Sequence, residues 1–368
     1  MKRPVEKKIR DFIIVRVILM GSLLGFFSHT ATALTFKGRE INFSLDSIAT
    51  WGKFPKFCVD TYRWGDKFFN GYDSTYVTGT GYKFNIKLRT ESWDDFYSFD
   101  FNNGTKMWMM SAPSTSAGFY LTYLAVSVGY DINVGKYIGA GSKGRRRWNF
   151  QFSCMLFETD LYFISNNAGS KIRRLEYDGD KLTKNLDFNG INTSQWGIDL
   201  YYFFRHKKYS QAAAFNFSRI QRKSSWAPFA GFSFWRQKYN FNFSSLPENY
   251  LQHIPVSPPD YYYSINTHNY FLRGGIGYNW VINQNWSVGL SEALMFGYSD
   301  GYIQTDLRDN HTVAMLNYAR ASLVFNKKQW FGGAVLSSQI GIVGNRNQTL
   351  LNSVLLFEVS AGMRFNLW

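Results

Sequence analysis

Four histidines lie beyond residue 33, at His206, His253, His268 and His311, and acid–base or metal chemistry would have to start from them. All four fall in expected connections. None forms HExxH, and no phosphate-cradling GxxxxGK[ST] stretch occurs. Glu248 with His253, and Asp309 with His311, are neighbours of the kind that solvated loops carry. Ser264 and His268 would be the nucleophile and base of a hydrolase at the membrane interface, but nothing in their spacing requires that role. Paired glycines in GGIGYNW and WFGGAVL, Gly274 with Gly275 and Gly332 with Gly333, read as relief of crowding within strands rather than as a phosphate site. No enzyme, cofactor or metal is expected. Cys58 and Cys154 are too few for a disulfide framework, and either one bridge or two buried thiols fits them.

Charge is the better lead. The formal +15 includes six basic and two acidic residues within the first 16, so about +11 belongs to the rest of the chain. GSKGRRR, residues 141–147, reads as a turn beside anionic lipid. Other charges sit inside alternating segments, where a lipid-facing position costs a few kcal/mol near mid-membrane. Lys87, Arg89, Asp199, Arg273, Arg320, Glu358 and Arg364 are therefore the candidate lumen charges, five basic against two acidic. Lining an open path they would favour anions; paired with one another they would form a plug. Glu292 shares its parity with Trp286, Val288 and Leu290, which suggests a bulge.

The elements that would position these residues follow from hydropathy. MKRPVEKKIR, a mostly apolar stretch and Ala31-Thr32-Ala33 read as an export signal cleaved after Ala33. No later run is long enough for a transmembrane helix. Residues 45–73 carry Phe54, Phe57, Cys58, Thr61, Tyr62, Gly65, Phe68 and Phe69 at three- and four-residue steps, which predicts an amphipathic helix serving as lid, plug or periplasmic strut. From Tyr82 onward the period is two. Phe, Tyr and Trp make 19% of the residues, yet the mean hydropathy is only −0.27, as expected where lipid-facing and polar positions alternate.

About twelve strands are expected, or ten if the first short ones merge: residues 84–89, residues 97–101 and KMWMM, then GFYLTYLAVSVGYDINV, RWNFQFSCMLFETDLYF and seven more ladders from SQWGIDLYYFF to the terminal strand. Linkers counted back from the C-terminus alternate short (NKKQ, NQN) and long (residues 344–349, 299–311 and 239–268, with 164–193 also external), the asymmetry of an outer-membrane barrel. Residues 208–225 break that rule and should hold a short helix or an extra hairpin. The terminal strand puts Phe357, Val359, Ala361, Met363, Phe365 and Leu367 on one face and Glu358, Ser360, Gly362, Arg364 and Asn366 on the other. Phe365, Leu367 and Trp368 read as the insertion signal of such a barrel. A soluble periplasmic β-sandwich is the competing architecture.

WGDKFFNGYDSTYVTGTGYKFNIKLR, residues 64–89, and KYSQAAAFNFSRIQRKSSWAPFAG, residues 208–231, resemble the signatures of an uncharacterised Bacteroidetes-type envelope family, domain of unknown function 4421. Gln211 stands where that family's pattern favours proline. The resemblance implies an outer-membrane barrel and brings no catalytic residues. The expected organisation is thus a signal at 1–33, a periplasmic or plug-like segment with a helix at 34–75, and a transmembrane antiparallel β-barrel at 76–368. Expected partners are outer-membrane lipids, lipopolysaccharide, the insertion machinery and a periplasmic protein; no nucleic-acid role is expected, and the barrel is expected to be a monomer. Within that frame the role is a small passive pore or a structural and assembly element, with a lipid- or lipopolysaccharide-acting enzyme as the alternative.

Overall fold

The computed structural model describes residues 34–36, 39–41, 50, 53–100, 104–111, 114–134, 145–167, 169–254, 261–303, 311–344 and 349–366. The expected signal with Ala31 and Ala33, and the terminal Leu367 and Trp368, lie outside them. Two units are present, split between Gly71 and Tyr72. The first holds a small hairpin of β1 (Leu34–Phe36) and β2 (Arg39–Ile41) and helix α1 (Lys53–Asn70). α1 carries Pro55 in its first turn, where proline's missing N–H costs nothing, and it stops at Gly71, whose Cβ would meet the Lys67 carbonyl. Trp64 and Phe68, one turn apart, stack on its exposed side with ring centroids 5.4 Å apart.

In the second unit the order is β3 (Val77–Gly79), β4 (Phe84–Asp100), β5 (Thr105–Ser111), β6 (Ser114–Tyr123), β7 (Val126–Asn133), β8 (Arg145–Ser153), β9 (Phe157–Asn166), β10 (Ser170–Tyr177), β11 (Asp180–Phe188) and β12 (Ile191–Phe203). Then come α2 (Gln211–Phe215), β13 (Arg219–Gln221), β14 (Ser225–Asn242), α3 (Glu248–Leu251), β15 (Tyr262–Val281), β16 (Trp286–Ile303), β17 (His311–Lys327), β18 (Trp330–Gly344) and β19 (Thr349–Phe365). Twelve of these strands, β4, β6–β9, β12 and β14–β19, close an antiparallel barrel, with β19 paired back on β4 from Phe365↔Phe84 to Thr349↔Asp100. Closure lets the backbone groups find partners within the wall, which hydrocarbon demands of any strand that crosses it.

The period of two holds around the wall. On β19, Phe357, Val359 and Met363 are exposed while Glu358, Ser360 and Arg364 are buried. Leu272, Ile276, Leu290, Phe296 and Leu336 continue the apolar exterior, and Trp226, Trp280, Trp286 and Trp330 stand near the short-turn end as an interfacial aromatic belt. Phe365 stacks on Phe84 across the closing seam, with centroids 5.6 Å apart.

The twelve strands are not the twelve ladders read from sequence. GFYLTYLAVSVGYDINV is a hairpin, β6 and β7, turning at Leu124-Ala125; RWNFQFSCMLFETDLYF is another, β8 and β9, turning at Cys154-Met155-Leu156. Cys154 is thus a turn residue, with a free thiol whose sulfur lies 3.3 Å from the Phe157 N–H. Conversely β4 is one strand where two were expected, and the strand containing KMWMM, β5, is not in the wall. β4 pairs with β6 only up to Trp93, then takes β5 instead from Phe96 to Asp100, and β5 carries β10 and β11 with it. The expected external loop at 164–193 therefore contains a hairpin.

His268 and His311 belong to strands β15 and β17, not to connections. Four residues of extended chain separate Ser264 from His268 by about 13 Å, so they make no nucleophile–base pair; the Ser264 hydroxyl donates to Asn240 instead. Glu292 marks no bulge either, since the register runs unbroken through Ile276↔Glu292↔Ala319.

Candidate functional site: a lumen closed at both ends

At the loop end, the inward residues of the β4–β5–β10–β11 flap meet the tops of β12, β14 and β15. Tyr97, Phe99, Met107, Met109, Ile172 and Leu175 pack with Phe188, Ile191, Tyr239, Phe241, Phe243 and Tyr263, and Leu246 and Ile254 complete the cluster. Phe99 and Phe241 meet edge to face at 5.1 Å. A second hydrophobic core thus sits over the barrel mouth, built from side chains that alternate out of strands longer than the membrane needs.

The short-turn end is closed differently. Residues 204–224, which join β12 to β14, fold inward. Ser210 caps α2, its hydroxyl accepting from the Ala213 N–H at 3.2 Å, and all five helical residues are buried. Gln211 occupies the first helical position, where proline is also well accommodated, and its side-chain carbonyl accepts from the Tyr209 hydroxyl. Phe217 then takes φ +60, a left-handed value that turns the chain back toward β13. β13 pairs with β3, so the two stretches that carry the family resemblance meet in one small sheet. Gln221 knits the base, accepting from Ser210 N–H and Asn279 and donating to the Lys208 and Lys223 carbonyls.

The wall is shaped to receive this plug. A Cβ on Gly277 would strike the Tyr209 ring, one on Gly289 would come within 2.5 Å of Ala214, and one on Gly333 within 2.8 Å of Phe217. Polar groups grip it as well: Asn279 donates to the Ser210 carbonyl at 2.8 Å, Arg364 to the Phe217 carbonyl at 2.5 Å, and Asn216 of the plug to Glu158 at 3.1 Å. Arg320 lies over the Phe215 ring at 4.1 Å. The expectation of a helix or an extra hairpin here resolves into a helix and a short strand that add nothing to the wall, so the strand parity upstream stands.

Between the two closures all seven sequence-selected charges lie inside. Arg89 makes a bidentate pair with Asp131, reaches Glu358 at 3.0 Å and approaches Glu91 at 3.2 Å. Lys87 lies 3.6 Å from Glu358, and Arg273 lies 3.0 Å from Asp199. Arg320 pairs with rings rather than carboxylates among the recorded contacts, and Arg364 sits fully buried against the plug. Sequence reasoning missed Glu91, Asp95, Asp131, Glu158, Asp160, Arg145 and Arg147, all buried or lining the same interior. Arg145 and Arg147, read from sequence as part of a lipid-side turn, instead reach Glu91 at 2.7 and 3.6 Å. With these included the interior holds, among the described residues, seven basic ones (Lys87, Arg89, Arg145, Arg147, Arg273, Arg320, Arg364) and seven acidic ones (Glu91, Asp95, Asp131, Glu158, Asp160, Asp199, Glu358), and the basic surplus disappears.

The space between the closures includes a polar cavity of about 210 Å³ lined by Arg147, Asp160, Tyr162, Tyr201, Arg273 and Arg320 among others, and a smaller one of about 100 Å³ toward the loop end. Trp93, under the Arg145 guanidinium at 3.7 Å, lies against both. The sequence does contain one GxSxG stretch, Gly297-Tyr298-Ser299-Asp300-Gly301. It runs along the loop-end part of β16 in unbroken register with Ser299 buried, not through the strand-to-helix turn that exposes a hydrolase nucleophile. Among the described residues no group of three or more His, Cys, Asp or Glu is placed to hold a metal ion.

Among solved structures the chain is similar to the outer membrane protease OmpT of Escherichia coli (7% identity, 77% of this chain and 97% of that one, TM-score 0.30). It is also similar to the COG4313 outer membrane channel of Pseudomonas putida F1 (11%, 78% and 97%, TM-score 0.33) and to the attachment protein Ail of Yersinia pestis (9%, 75% and 98%, TM-score 0.22). Similarities at this level decide nothing about function, and the barrel itself is read from the closed ladder of strand pairs. A search of curated proteins finds no match. The model of the family described as Domain of unknown function (DUF4421) matches residues 71–365, from the end of α1 to the last residue of β19 and so across both stretches that form the plug and its sheet, and the chain belongs to that family.

Proposed function

We propose that this chain is an outer-membrane barrel that stays closed at rest and serves the envelope as a structural or assembly element rather than as an open pore. The seat of the plug carries this reading: Gly277, Gly289 and Gly333, on three different strands, clear the space that Tyr209, Ala214 and Phe217 occupy. An interior whose basic and acidic residues balance supports it, because an anion-selective path needs an uncompensated positive lining. Export by a signal cleaved after Ala33, insertion read from Phe365, Leu367 and Trp368, and an outer face in lipopolysaccharide belong to the same proposal. In that orientation the exposed Lys207, Lys208, Arg222 and Lys223 surround the base of the plug on the periplasmic side, where an acidic partner would dock.

One observation favours a second reading, a pore gated by withdrawal of the plug: the larger cavity above α2 is polar rather than packed. Liposomes loaded with a small neutral sugar and a fluorescent anion separate the two. The closed-barrel proposal expects efflux of both solutes no faster than from protein-free liposomes. Rapid sugar efflux through the wild-type protein would overturn it.

A further inference from the structure

The exterior of β16 to β18 carries a polar notch at the level where lipid offers only hydrocarbon. Glu292 faces outward between Trp286 and Tyr298, six residues on either side and both exposed. Six residues of a strand tilted by about 40° span roughly 15 Å along the membrane normal, half the thickness of the apolar band. Glu292 therefore sits near mid-membrane, about that far from either headgroup layer. Its one recorded donor is the side-chain amide of Asn317, on the neighbouring strand, at 3.0 Å.

The wall around this pair is hollowed. Ala319, Ala321 and Ser338 lie between the larger Leu290 and Leu336 and leave an exterior groove of about 470 Å³. A carboxyl group in hydrocarbon needs donors, and the lipid chains at that depth have none. The notch is also self-complementary. It holds a carboxylate with one oxygen that has no partner among the described residues, beside an amide that keeps a second N–H, and small residues beside a protruding leucine. Two copies inserted in the same bilayer share one orientation, so a two-fold axis along the membrane normal brings each residue opposite others at its own depth. Because Glu292 and Asn317 are hydrogen-bonded, their depths agree to within a few Å, as that axis requires.

We infer that the β16–β18 face is a membrane-embedded interface between two copies of this chain, in which Asn317 of each donates to Glu292 of the other and Leu336 of each enters the small-residue groove of the other. The pair replaces the monomer expected from sequence. It rests on the transmembrane barrel and not on whether the lumen opens.

Cysteine cross-linking in reconstituted lipid bilayers tests it, in a Cys58→Ala, Cys154→Ala background with Ser338→Cys as reporter and Phe163→Cys, on the exposed face of distant β9, as control. Copper-phenanthroline oxidation is expected to convert most of the Ser338→Cys protein to a disulfide-linked dimer and little of the Phe163→Cys protein. Glu292→Leu with Asn317→Leu is expected to bring the Ser338→Cys yield down to the control level while heat-modifiable gel mobility stays intact. Native mass spectrometry from lipid nanodiscs is expected to show a dimer for wild type and a monomer for the double variant. A wild-type monomer in nanodiscs, alone or with bound lipid, overturns the inference, as does a dimer whose cross-link yield the double substitution leaves unchanged.

Discussion

The two ends of the barrel are closed differently, one by a single continuous aromatic core and the other by a short segment held in small clusters and by polar contacts. At the loop end, long strands continue past the wall and bury rings against rings, with Phe99, Phe241, Phe243 and Tyr263 at its centre. At the short-turn end a single segment enters the lumen, seats Tyr209, Phe215 and Phe217 in separate small clusters against the wall and is also held by polar contacts from Asn279, Glu158 and Arg364. The first closure has no small part that can leave without exposing the rest of its core. The second is one connection between β12 and β14, its apolar contacts are divided among small separate clusters, and its polar contacts can be exchanged for water. Under the proposal made above, that difference makes the plug the closure that can be removed and the aromatic core the fixed one.

The largest expected effect comes from hollowing the fixed closure. Phe241→Ala should cost about 3–5 kcal/mol in local stability, as for other buried phenylalanines. The expected sign is faster proteolysis of the loop-end connections at a given denaturant concentration, with no added conductance, because the plug still closes the other end. Conductance from this variant alone would erase the distinction between the two closures.

Arg364→Gln should have a smaller effect on stability, about 1–3 kcal/mol for a buried charged donor removed from carbonyls it satisfies. Here the sign to look for is transient conductance and easier cleavage at residues 204–224, since the Phe217 carbonyl, the Asn326 side chain and the Lys328 carbonyl all lose a donor. Proteolysis that spreads to the loop end before the plug is cut would contradict the assignment of Arg364 to the plug. Ser210→Ala removes only the cap of α2 and should cost about 1 kcal/mol. It should raise hydrogen exchange at the Ala213 amide and leave the aromatic core unchanged.

The sequence displays the wall better than it displays either closure. Alternation along β14–β19 is strict, and short turns such as residues 282–285 carry the polar residues that mark them. The hairpins β6–β7 and β8–β9 are hidden because their turns are apolar: Leu124 adopts φ +52 without glycine, and Cys154, Met155 and Leu156 are buried. Fusing those two pairs loses two strands. Splitting β4 at its polar stretch around Glu91 to Asp95 and admitting β5 to the wall adds two, so the count of twelve survives an assignment that is wrong in its first half. The same faults of segmentation hide Glu91, Asp131, Glu158 and Asp160, and with them the balance of basic and acidic residues in the lumen. The plug is illegible for another reason. Gly277, Gly289 and Gly333 are far apart in the chain and become a seat only when β15, β16 and β18 share a wall.

Single-channel recording in planar bilayers of wild type beside Gly277→Leu and Gly289→Leu tests the central claim most directly, because the side chains these substitutions add run into Tyr209 and Ala214 of the plug. Heat-modifiable mobility of each variant reports that the barrel has formed. The account predicts a silent wild type and long-lived openings in both variants, with little preference between anions and cations. A wild type that conducts as well as the variants, or folded variants as silent as the wild type, would contradict it.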